Sequence, residues 1–144
     1  MILKSSLSGN YTVTTSYANI ENSTTGQEMS ITIPEDGYYH IIGTLMANVF
    51  DSDGSEARLY LKLAVDGTRL SASGCFLFTQ TSVNGLRHTF AAPINNFLYL
   101  KKGQVVTVQA YMESGDNSTI TATNGQYATY MEAINLTKLA RGGM

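Results

Sequence analysis

Few side chains here can do acid–base, nucleophilic or metal chemistry, and their spacing decides how they are read. His40, His88 and Cys75 are the whole imidazole and thiol complement. His40 follows Tyr38 and Tyr39, and His88 precedes Thr89 and Phe90, and each lies in a predicted strand. Zinc ligation or proton transfer needs partners that converge on the imidazole. Neither histidine has such partners nearby in sequence, so each is read as a half-buried strand residue with an ordinary hydrogen bond. Cys75 sits before Phe76, Leu77 and Phe78 and reads as a small core residue. As a nucleophile it would need a neighbouring base that the sequence does not indicate. A lone cysteine also excludes an intramolecular disulfide.

The one carboxylate cluster is Asp51-Ser52-Asp53-Gly54-Ser55-Glu56. Alternating acidic residues beside glycine can wrap calcium with oxygen ligands, which makes Asp51, Asp53 and Glu56 the candidate set. The full helix–loop–helix calcium pattern is absent, and a solvated loop tip is the default reading. There is no Gly-x-Ser-x-Gly elbow, no phosphate-cradling loop and no Cys-x-x-Cys pair. No catalytic activity and no cofactor are therefore expected.

The elements that must carry these residues read as strands. Met29, Ile31 and Ile33 alternate with Ser30 and Thr32, and Leu59, Leu61, Leu63 and Val65 alternate with Arg58, Tyr60, Lys62 and Ala64. A period of two means one buried face per strand. Asp66-Gly67 closes the second run as a hairpin signal. Further strands are predicted at about 38–48, 75–80, 86–91, 97–100, 104–112, 118–123 and 129–136. Asn84-Gly85, Lys102-Gly103, Ser114–Asn117 and Asn124-Gly125 separate several of them. No capped 3.6-residue period occurs, so no helix is expected. Short strands broken by Gly and Asn predict an antiparallel sandwich or barrel. Residues 1–28 read as a polar N-terminal arm with one early strand, 29–137 as the body of the sandwich and 138–144 as a short basic tail, all within one structural domain.

Length and composition bound the function. A chain of 144 residues can bury a core without disulfides. Only 14% of residues are charged and the net charge is −2, which excludes a nucleic-acid binder working through a broad basic face. No apolar run is long enough to cross a membrane as a helix. The short Met1–Lys4 start does not resemble a signal peptide, so synthesis in the host cytoplasm is expected. Ser, Thr, Asn and Gln fill the polar positions instead of charges, as in proteins that pack against copies of themselves.

Tyrosine is over-used: nine residues, against no tryptophan. Tyr38, Tyr60, Tyr99, Tyr111 and Tyr130 lie in or beside predicted strands. Where the opposite strand face is aliphatic, as at Tyr60, the ring must point away from the monomer's core. Tyrosine suits interfaces because the ring covers area while the hydroxyl finds a partner. These five are the candidates for an interface between copies, although each alone could be ordinary cross-strand packing.

Several segments together resemble a known family. Ile33-Pro34-x-x-Gly37-x-Tyr39-x-Ile41, Leu63-Ala-Val65-Asp-Gly67, Leu98-Tyr-Leu100-Lys-Lys-Gly103-Gln-Val105-x-x-Val108 and the closing Thr129–Leu136 resemble the strand–turn–strand units of trimeric jelly rolls of the complement globular-head and tumour-necrosis-factor type. Tyr11–Ile20 looks like the first strand of such modules in bacteriophage structural proteins. The resemblance implies an all-β, antiparallel jelly-roll β-sandwich that assembles as a homotrimer.

The expectation drawn from all this is a bacteriophage virion structural protein. Its leading form is a capsid decoration (cement) protein that binds the outer head shell as a trimer and stabilises it. Its partners would be its own copies and the major capsid protein, with no nucleic acid and no membrane. Met1, Ile2, Leu3 and Lys4 at one end, and Lys138 and Arg141 at the other, are the expected shell contacts. Two alternatives stay open: the receptor-binding head of a tail fibre, presenting loops 51–56, 80–85 and 114–118, and a free-standing carbohydrate-binding protein.

Overall fold

The computed structural model describes the backbone of residues 2–51, 56–70, 75–80, 86–114 and 118–142. Met1, Asp53 and most of the three loops named above lie outside the described residues. So do the side chains of Asp51, Glu56, Cys75 and His88, and the expectations placed on them.

Among the described residues, twelve strands and one helical turn follow in order: β1 Ile2–Ser6, β2 Tyr11–Thr12, β3 Ala18–Asn19, β4 Ser30–Thr32, β5 Gly37–Asp51, β6 Glu56–Val65, β7 Thr68–Arg69, β8 Cys75–Gln80, β9 Leu86–Leu100, β10 Val105–Ser114, β11 Ser118–Ala122, β12 Tyr130–Asn135 and α1 Leu136–Ala140. They form two antiparallel sheets. In the first, β9 runs the whole length of β5 on one side, while β12 and β11 lie end to end on the other. β1 extends this sheet beyond β12, and β2 extends it beyond β11. In the second, β10 and β6 form the centre, with β3 and β4 beyond β10 and β7 and β8 beyond β6. The chain passes from one sheet to the other between β2 and β3, β4 and β5, β5 and β6, β8 and β9, β9 and β10, and β10 and β11, which is the course of a jelly roll.

Alternation places the core between the sheets. Ile41, Leu45, Ala47 and Val49 of β5 face Leu59, Leu61 and Leu63 of β6 and Val106, Val108 and Ala110 of β10, all buried. Each large aliphatic chain buried this way contributes about 1.5–3 kcal/mol. The Asp66-Gly67 turn has both φ angles positive (49° and 81°), and it joins β6 to β7 as its sequence predicts.

The Pro34–Tyr39 joint gains its rigidity from Tyr39, which is only 1% exposed. Its hydroxyl donates to the Glu35 carbonyl at 2.8 Å and accepts from Asn135 Nδ2 at 3.1 Å. Asn135 also accepts at Oδ1 from the Lys138 N–H at 2.9 Å, which caps α1. One side chain thus ties the turn, the last strand and the helical turn together. At Gly43 a Cβ would collide with the Tyr130 carbonyl oxygen and lie 2.8 Å from Met131 Cα, so β5 can approach β12 only with glycine there.

Four expectations need correction. Residues 2–28 carry three short strands where one was expected: β1 to β3 are each hydrogen-bonded into a sheet, because unpaired backbone groups against a sheet edge are costly. A helical turn is present where none was expected, begun by the Asn135 cap and running over residues 136–140. The runs 86–91 and 97–100 join into the single strand β9 through Pro93. Proline is tolerated there because, among the described residues, β9 pairs along its length with β5 alone and stands at the sheet edge. The last strand ends at Asn135, not Leu136, where the cap turns the backbone.

Candidate functional site

The outer face of the first sheet carries the feature that most needs explanation. In β5 the odd-numbered residues from Tyr39 face inward and the even-numbered ones outward. Register then aligns Ile2, Ile134, His40 and Phe97 in one row across four strands. Beside it run Tyr38 paired with Tyr99, and Ile42 between Glu132 and Asn95. Ile2 is 61% exposed, Tyr38 61%, Ile42 39%, Phe97 64% and Tyr99 50%. Among the described residues only Tyr127 and Leu139 join them as exposed large hydrophobics, so the exposure is concentrated on one face. Scattered single apolar residues are normal on a surface, whereas a contiguous patch marks a contact site.

The rings on this face are already ordered. His40 stacks on Phe97 with centroids 4.1 Å apart at 12°, and its Nε2 lies 2.7 Å from Asn95 Oδ1, an arrangement in which the ring N–H donates. Tyr38 and Tyr99 meet edge to face at 5.1 Å. Ordered rings lose little further freedom on being covered, which favours association. Tyr38 also joins Leu136, Thr137, Ala140 and Arg141 in a shallow, mostly apolar groove beside α1.

The five tyrosines predicted as one interface set divide between two faces. Tyr38, Tyr99 and Tyr130 stand on the face just described. Tyr60 and Tyr111 are directly paired on the outer face of the second sheet. There Tyr60 stacks on Tyr111 at 5.0 Å and 27°, and Tyr17, just before β3, lies 5.0 Å from Tyr111. Arg69 sits 4.7 Å over the Tyr17 ring and donates to Gln109 Oε1 at 3.2 Å. Tyr60 Oη donates to Glu113 Oε2 at 3.1 Å, and Arg58 pairs with Glu113 at 3.6 Å. Burial raises the Tyr17 phenol above its usual value, partly opposed by Arg69. Loss of water and the nearby Glu113 carboxylate raise that of Tyr111. The rings of this ladder contact one another within one chain and are half-buried. Tyr17 was missed from the sequence because it precedes β3 in a Thr/Ser-rich run and meets Tyr111 only through sheet pairing.

The terminal residues expected to reach outward are largely engaged within the chain. Leu3 packs against the core. Lys4 pairs with Glu132 at 3.9 Å and lies 4.7 Å over the Tyr130 ring. Lys138 pairs with Glu35 at 3.2 Å. Ile2 and Arg141 remain exposed. Among the described residues no three of His, Cys, Asp and Glu gather closely enough to hold a metal ion. None of the described helices is long and apolar enough to cross a membrane.

No protein-family model matches this chain, and no curated protein matches it either. Among solved structures it is similar to the Eiger TNF of S. frugiperda, with a TM-score of 0.50 at 10% identity. That match covers 94% of this chain and 85% of the other. At that identity the likeness establishes the fold alone: a TNF-like β-sandwich of two antiparallel sheets.

Proposed function

We propose that this chain is a non-enzymatic structural module that closes into a homotrimer through the outer face of its first sheet. The observation that carries the reading is the row Ile2–Ile134–His40–Phe97 with the neighbouring Tyr38–Tyr99 pair, an ordered apolar and aromatic surface open to solvent in the single chain. The TNF-like fold supports a ring of three, in which one subunit's patch meets a different patch of the next and the assembly closes without growing into a fibre. Of the tyrosine candidates, Tyr38, Tyr99 and Tyr130 belong to this contact, while the Tyr60–Tyr111 ladder remains on the outside of the ring.

The working role we propose for the trimer is decoration of the outer surface of a bacteriophage head, with the major capsid protein as its partner. The resemblance of Tyr11–Ile20 to the first strand of such modules in bacteriophage structural proteins supports this role. A cement acts by mass action: it binds the assembled shell and not the free subunit, so affinity and concentration set how far it stabilises the shell. With Lys4 and Lys138 paired internally and Ile2 in the trimer contact, Arg141 is the end residue left to meet the shell. The test is co-sedimentation with expanded empty heads, together with the melting temperature of those heads. Binding with a raised melting temperature is expected. Adsorption to host cells with no binding to heads would overturn the decoration role in favour of a tail-fibre head, and would leave the trimer standing.

A further inference from the structure

At the end of the first sheet farthest from α1, the outer face changes character. The apolar row gives way to a cleft of about 240 Å³ lined by Asn10, Asn48, Val49, Phe50, Thr119 and Thr121. Thr121 pairs with Asn48 and Thr119 with Phe50, so these four stand as two adjacent cross-strand pairs on one face. None of the described lining residues carries a charge.

The polar groups are held in fixed orientations. Asn48 Oδ1 accepts from the Thr89 hydroxyl, and its Nδ2 donates to Thr123 Oγ1 at 2.9 Å, leaving one amide N–H with no acceptor among the described residues. Asn10 Oδ1 accepts from the Asn124 N–H at 2.9 Å, and both N–H groups of its Nδ2 have no acceptor among the described residues. Among the described residues the hydroxyls of Thr119 and Thr121 have no hydrogen-bond partner. The cleft thus offers three amide donors, two hydroxyls that donate or accept, and one aromatic wall.

We propose that this cleft binds one ring of a neutral saccharide. Vicinal sugar hydroxyls each donate and accept, which matches a mixed set of amides and threonine hydroxyls, and the C–H face of the ring suits an aromatic wall. A charged ligand would find no counter-ion among the described lining residues, and an apolar one would strand the amides without partners. The volume lies below the usual range for drug-sized ligands and fits a single ring. The inference goes beyond the assembly and decoration reading, since each chain carries its own cleft.

Saturation-transfer NMR on the full chain, with the methyl glycosides of glucose, galactose, mannose and N-acetylglucosamine as probes, tests it. N-acetylneuraminic acid serves as the charged comparison. Transfer to at least one neutral glycoside is expected, with amide shifts confined to Asn48, Thr119, Thr121 and their neighbours. The paired change Thr119→Val and Thr121→Val keeps side-chain volume and should weaken binding about tenfold or more, while Thr119→Ser with Thr121→Ser retains it. The proposal is overturned by silence from all four neutral probes, by shifts located elsewhere, by preference for the acidic sugar, or by undiminished binding in a folded valine variant. Light scattering on the same samples reports the trimer separately.

Discussion

Replacing Phe97 with serine isolates the proposed contact between copies. Phe97 is 64% exposed in the single chain, stacks on His40 and is not among the buried core residues, so the change leaves the core alone. A phenylalanine side chain covers about 200 Å², so about 130 Å² here awaits a neighbour. At about 25 cal/mol per Å², complete cover contributes about 3 kcal/mol for each copy. A closed ring makes that contact three times, about 9 kcal/mol, equivalent to about six powers of ten in the trimer dissociation constant. With only half the ring covered, a loss of about a thousandfold remains. The monomer should lose only the His40 stacking, about 1 kcal/mol. Sedimentation equilibrium from nanomolar to micromolar chain should show wild type at three times 15.6 kDa and the variant at one times. A variant that associates like wild type, or a wild type that stays at 15.6 kDa at micromolar concentration, refutes the argument from this face.

Other changes probe the fold that holds this face. Gly43→Ala places a methyl group against the Tyr130 carbonyl, and should cost about 3 kcal/mol or more, seen as a large drop in melting temperature or as insoluble product. Asn135→Ala removes the α1 cap and a partner of the buried Tyr39 hydroxyl, and should cost about 2 kcal/mol or more in urea unfolding. Tyr39→Phe leaves the Glu35 carbonyl without its donor and should cost about 1–2 kcal/mol. Burial raises the Tyr39 and Tyr11 phenols, so the folded chain keeps protons that the unfolded chain releases. Stability should therefore hold below pH about 10 and fall as pH rises beyond it, with a shallower fall in Tyr39→Phe, read from melting temperatures between neutral and alkaline pH.

Much of the fold was legible because strand burial repeats every two residues. Leu59, Leu61 and Leu63 are buried as their alternation requires, and Tyr60 and Tyr111 point outward as the same rule demands. The Asp66-Gly67 and Lys102-Gly103 turns follow from the need for positive φ. The join of β9 through Pro93 was not legible, since proline reads as a break until its strand is known to lie at an edge. The α1 turn left one signal in the sequence, an asparagine immediately before Leu136, too short a cue against a background rich in asparagine.

The candidate site shows the same division. The abundance of tyrosine and the outward direction of Tyr60 are local facts, fixed by composition and by the alternation of Cβ positions along each strand. Which rings share a face depends on pairing between segments that lie far apart in the chain. His40 meets Phe97 because β9 pairs with β5, and Ile2 joins their row only because β1 adds to β12. Tyr17 reaches Tyr111 by the same kind of pairing, and so a set of tyrosines that looked uniform became one open face and one ladder of contacting rings. Local chemistry determined that this chain forms half-buried strands and lacks a recognisable catalytic motif. Long-range register alone decided which half-buried faces stay uncovered, because backbone hydrogen bonds between strands carry no record in the sequence of either strand by itself.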